Sequence, residues 1–132
     1  MSNSQIPKKK FDLDERTAKY GENIIEFAKG VSKTIITASL INQLVRSGTS
    51  VGANYCEADC AESRKDFEHK LGICKKEAKE SKHWLRMIVK AEPGMKNQAA
   101  LLWKEANELQ LIFISIINKS RNNKNKEKDL DI

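Results

Sequence analysis

Four stretches of this chain carry apolar residues at alternating three- and four-residue spacing, and each reads as an amphipathic helix. The first begins near Phe11, where Asp12 serves as N-cap and Glu15 completes a capping box. Leu13, Thr17, Tyr20, Ile24, Phe27 or Ala28, and Val31 then share one face, and residues 30–33 break the helix. The second spans about residues 34–62, with Ile41, Leu44, Gly48, Val51, Tyr55 and Ala58 on its apolar stripe. The third is capped by Ser63, with Asp66 near the positive end of the helix dipole. Phe67, Leu71, Cys74, Ala78, Ser81, Leu85 and Ile88 form its strict heptad, and Pro93-Gly94 stops it. The fourth spans about residues 95–118, with Met95, Ala99, Leu102, Ala106, Leu109, Phe113 and Ile116 in heptad register.

These elements predict an all-α protein, an antiparallel up-down four-helix bundle occupying residues 11–118. A basic arm (residues 1–10) and a polar tail (residues 119–132) flank it and are expected to be disordered. Leu111, Ile112, Ile114 and Ile117 add apolar residues to other faces of the fourth helix. A lone bundle buries one stripe per helix, so this surplus predicts packing against another subunit. In the second helix, Gly48, Gly52 and Ala53 remove side-chain bulk so that a neighbour can approach closely. A loop is the rival reading of the Ser47–Gly52 run, because each glycine costs roughly 1 kcal/mol in a helix. The unbroken apolar register favours helix.

Composition adds little to the architecture but much to the question of chemistry. Three cysteines, Cys56, Cys60 and Cys74, together with a start that has no secretory apolar core, point to a reducing cytoplasm. No apolar run is long enough to span a membrane. Glu80 to His83 is an E-x-x-H, which in a helical bundle raises a di-iron carboxylate site. Only one such pair occurs, however, and His69 and His83 stand about 21 Å apart along a helix axis. Both histidines also fall on the side farthest from the core. Cys56 and Cys60 read as small buried hydrophobes rather than metal ligands. The Gly48–Gly52 run lacks the Gly-Lys-Ser/Thr ending and the preceding strand of a phosphate loop. The expectation is therefore no enzyme, no metal and no cofactor.

The net charge of +6 is unevenly distributed. Residues 63–92 hold +4, against −1 for 11–33, −2 for 34–62 and 0 for 95–118. Lys76, Lys79, His83, Arg86 and Lys90 recur at 3-4-3-4 spacing on the face opposite the third helix's core, with Lys75 and Lys82 beside them. A one-sided basic stripe suits a phosphate backbone, although a solvated helix face is the plainer alternative. The stripe itself contains no stacking aromatic, which predicts backbone-led binding of RNA or DNA with weak sequence preference. A second polar set, Arg46, Asn54 and Glu57 on the second helix, needs partners elsewhere. Glu77 and Glu80 on the third helix are the candidates for Arg46.

Arg46-Ser-Gly-Thr-Ser-Val-Gly-Ala-Asn54, Glu57-Ala58, Ser63-x-x-Asp66-Phe67-x-x-Lys70-Leu71, Glu77, Glu80 and Trp84-Leu85 together resemble a family of bacterial four-helix bundle proteins. These are named for the intervening sequences of 23S ribosomal RNA genes in which some are encoded. The opening Phe11-Asp12-Leu13 fits too, so the resemblance covers about residues 11–118. It implies a homopentamer, a barrel-like ring with a basic surface. Through the related accessory proteins of diversity-generating retroelements, it also implies nucleic acid and a reverse transcriptase as partners.

Overall fold

The computed structural model describes the backbone of residues 12–130 and the side chains of residues 12–125. The expected basic arm lies outside the described residues. Four helices make up the described chain: α1 (Leu13–Lys29), α2 (Ile35–Asp59), α3 (Arg64–Ala91) and α4 (Lys96–Leu130), with a 3-10 turn at Pro93–Met95 before α4.

The starts of α1, α2 and α3 are each set by a cap that satisfies otherwise orphaned N–H groups. The Asp12 carboxylate accepts from the Glu15 N–H at 3.2 Å. Thr34 and Thr37 form a reciprocal capping box, with bonds of 3.1 and 2.8 Å. Ser63 Oγ accepts from the Asp66 N–H at 3.0 Å. Pro93 stands at the first position of the 3-10 turn, where it needs no N–H partner. α4 runs past Asn118 to Leu130. The sequence reading ended this helix at Asn118, where the apolar stripe stops. No proline or glycine follows Gly94, however, so nothing in the chain breaks the backbone there.

Successive helices run antiparallel. Ile24 and Thr17 of α1 meet Gly48 and Gly52 of α2. Ser47 and Glu57 of α2 meet Ser81 and Lys70 of α3. Glu68 and Lys82 of α3 reach Ser120 and Asn107 of α4. Arg16 of α1 closes the circuit by pairing with Glu105 and Glu108 of α4 at 2.8 and 2.9 Å. The predicted stripes of α1 and α3 are buried, apart from Phe67, which is half-buried. In α4 the seam shifts by one residue at its end, so Ile117 is buried and Ile116 only half-buried. That is the drift expected when a 3.6-residue helix carries a 3.5-residue pattern.

α2 remains helical through Ser47–Gly52, and the glycines explain why α1 can lie so close. A Cβ on Gly48 would stand 2.8 Å from Ile24 Cγ1, and one on Gly52 would stand 3.4 Å from the Thr17 backbone. Thr17 keeps its own hydroxyl satisfied inside the core by donating to the Leu13 carbonyl at 2.6 Å. One expectation for this helix is corrected: Cys56 and Cys60 are exposed, whereas Cys74 is buried. The core side of α2 at this end runs through Tyr55 and Ala58, which turns both cysteines outward.

Candidate functional site

Lys76, Lys79, His83, Arg86 and Lys90 are all exposed along α3. Their backbones are positioned by the buried heptad on the opposite side of the same helix, since burying Cys74, Ala78, Ser81, Leu85 and Ile88 forces the stripe outward. None of the five forms an ion pair among the described residues. Lys75 and Lys82 are half-buried beside them.

The two long edges of this stripe differ. On the α2 side, Arg46 lies against both predicted acids. Its Nη1 is 3.3 Å from Glu77 Oε1, and its Nη2 pairs with Glu80. Trp84 Nε1 also donates to Glu80 Oε2 at 3.1 Å. That indole bond, with Arg46 behind it, holds the Glu80 carboxyl below its usual range. The Glu77 side chain is only 10% exposed while Arg46 remains 45% exposed, so the pair is a partly wet clamp rather than a buried one. Asn54 does not join it, because its amide donates to the Ser50 carbonyl of its own helix at 2.9 Å. Glu57 forms a separate clamp, accepting from Lys70 Nζ at 2.6 Å. The polar set of α2 thus divides into two α2–α3 ties and one intrahelical bond.

On the α4 side the seam is basic and aromatic. Lys82 Nζ donates to Asn107 Oδ1 at 2.8 Å and lies 4.8 Å from the centroid of the Trp103 ring. Trp103 is 44% exposed. Sequence spacing along α3 could not place it, because Trp103 sits on another helix and reaches the stripe only through antiparallel packing. Its apolar bulk off the α4 heptad, just after Leu102, was the available signal.

Little else among the described residues is arranged for chemistry. Among the described residues, no group of three or more His, Cys, Asp or Glu side chains could hold a metal ion. Glu80 is committed to Arg46 and Trp84, while His83 is exposed with its ring edge-on to Trp84 at 4.9 Å. Cys74 is buried, and desolvation pushes its thiol up to about 12, which leaves it protonated and inert. The Tyr20 hydroxyl is buried near Ser81 without a hydrogen bond of normal geometry, and burial raises its pKa as well. No helix among the described residues is long and apolar enough to cross a membrane.

The profile of the 23S rRNA-intervening sequence protein family matches residues 9–115. The chain belongs to this family. The crystal structure of a protein of unknown function from the S23 ribosomal protein family, from Bacteroides thetaiotaomicron VPI-5482, has the same fold at a TM-score of 0.71. It is 31% identical over 80% of this chain and 97% of that one. No curated protein matches. Neither the family description nor that of the solved relative names an enzymatic activity.

Proposed function

We propose that this 23S rRNA-intervening sequence family member is a non-enzymatic, self-assembling bundle that binds RNA or DNA through the outer face of α3. The observation that carries this reading is the run of Lys76, Lys79, Arg86 and Lys90, exposed on one face with no acid paired to any of them among the described residues. A polyanion displaces condensed counterions when it meets such a row, and that release supplies affinity without base recognition. His83 lies within the row, exposed among the four cations.

Self-assembly is supported by α4, where Leu101 is 72% and Leu111 58% exposed. The family resemblance points to a homopentamer, which would repeat the stripe five times and add the fields of its copies. Sedimentation of the purified protein as a monomer would remove this part of the reading. For the stripe, the test is a triple reversal of Lys76, Lys79 and Arg86 to Glu, assayed by electrophoretic mobility shift. Binding should disappear while the helical signal persists; unchanged binding overturns the proposal.

The same exposed Leu101 and Leu111 support a second reading, in which the bundle is an adaptor docking on a protein such as a reverse transcriptase. Capture of such a protein by wild type, lost in a Leu101→Asp, Leu111→Asp variant that keeps its oligomeric state, would favour it.

A further inference from the structure

Acidic side chains are distributed very unevenly around the basic stripe. On the α2 edge, Glu77 and Glu80 stand close to it, already paired with Arg46. On α4, Glu105 and Glu108 are turned away to the α1 side, where both bind Arg16. The seam between α3 and α4 around Lys82 is therefore left without a paired acid. Lys79, Lys82 and Arg86 follow one another there at spacings of three and four, on one helix face. The Lys82 ammonium is held in place by a neutral amide, Asn107, so it is positioned without being neutralised. It also lies over the Trp103 ring, 4.8 Å from the centroid, and the indole remains 44% exposed.

We infer that this seam is a single-strand-binding element, in which an unpaired base stacks on Trp103 while Lys79, Lys82 and Arg86 hold the adjoining phosphates. The inference rests on the nucleic-acid reading of the stripe and narrows its ligand class. A duplex keeps its bases stacked on one another, so a protein aromatic has no free base face to meet. A single strand offers one at every nucleotide. An exposed indole flanked by cations is the arrangement that exploits this difference, and it needs no particular base.

The test uses the full chain carrying Trp84→Phe, which leaves Trp103 as the sole indole. It is titrated with oligouridylate and, separately, with an RNA duplex of equal phosphate number. Oligouridylate should quench the Trp103 fluorescence and the duplex should not. Trp103→Ala should weaken oligouridylate binding by about 5- to 150-fold, the cost of losing one stacked base. Duplex affinity and the salt dependence of both should be unchanged, because stacking releases no counterions. Trp103→Phe, with an unchanged helical signal in all three proteins, should recover part of the loss. Equal weakening toward both ligands, or a change in sedimentation on Trp103→Ala, assigns the indole to an interface between copies and overturns the inference. So does unchanged oligouridylate affinity, in which case salt-sensitive binding by wild type would leave the proposed function standing. Wild type binding neither ligand overturns both.

Discussion

Replacing a glycine by alanine should have different effects at two positions in neighbouring helices. At Gly48 in α2, the added methyl would fall 2.8 Å from Ile24 Cγ1, 3.0 Å from its Cγ2 and 3.2 Å from its Cβ. Ile24 is fully buried and branched at Cβ, so it has no open rotamer to move into. Relief requires α1 and α2 to separate, an overpacking cost of about 1–3 kcal/mol. Better helix propensity offsets roughly 1 kcal/mol of this, leaving Gly48→Ala between neutral and about 2 kcal/mol destabilising. At Gly72 in α3, an added Cβ meets nothing within 4 Å. Gly72→Ala should therefore keep the propensity gain and stabilise by about 0.5–1 kcal/mol. Thermal unfolding followed by circular dichroism reads the difference, at about 3–5 °C per kcal/mol for a chain of this size. Both variants should be compared at the same protein concentration, since assembly makes Tm concentration-dependent. If Gly48→Ala raises Tm as far as Gly72→Ala does, the close approach of α1 to α2 is not a constraint and the reasoning fails.

The α2–α3 clamp makes two further predictions. Arg46→Ala leaves the nearly buried Glu77 carboxylate without its cation and should destabilise by about 1–3 kcal/mol in urea unfolding. That is less than for a fully buried pair, because Arg46 is half open to water; no measurable change would show the clamp to be idle. The folded-state pKa of Glu80 lies below its ordinary 4.5. Its contribution to stability is therefore complete above 4.5 and is lost as the pH falls through the lowered folded value. Glu80→Gln should flatten the acid side of the stability curve there while leaving its neutral region sloped as in wild type, and an unchanged acid limb would contradict the assignment. Thiol titration of the native protein should modify Cys56 and Cys60 promptly and Cys74 only on unfolding. Prompt modification of all three would mean that the core around Leu71 and Ala78 opens easily.

Legibility in the sequence followed the range of the interactions. Caps at Asp12 and Ser63, the stop at Pro93 and the buried stripes are set by residues within a turn or two of each other, and periodicity exposes them directly. The pairing of Arg46 with Glu77 and Glu80 was also legible, since an arginine beside a glycine-rich helix face has few acids within reach on the next antiparallel helix. Three features were not. The outward turn of Cys56 and Cys60 depends on which side of α2 meets α1, and the small-residue run Gly48–Ala53 blurs that boundary. The continuation of α4 to Leu130 reflects the absence of a breaker, a weaker signal than the loss of apolar residues beyond Asn118. Trp103 joins the basic stripe through the register of α3 against α4, which spacing along either helix alone does not encode.

The salt dependence of nucleic-acid affinity tests the central claim most directly. If Lys76, Lys79, Arg86 and Lys90 each neutralise one phosphate, log K should fall against log salt with a slope of about −3 for a single strand and about −4 for a duplex, per protomer engaged. Between roughly 50 and 200 mM salt, that is a loss of about 50- to 150-fold. The account predicts this slope for wild type and its collapse when Lys76, Lys79 and Arg86 are reversed to Glu. A flat slope, or an undiminished one in the reversed variant, would contradict it.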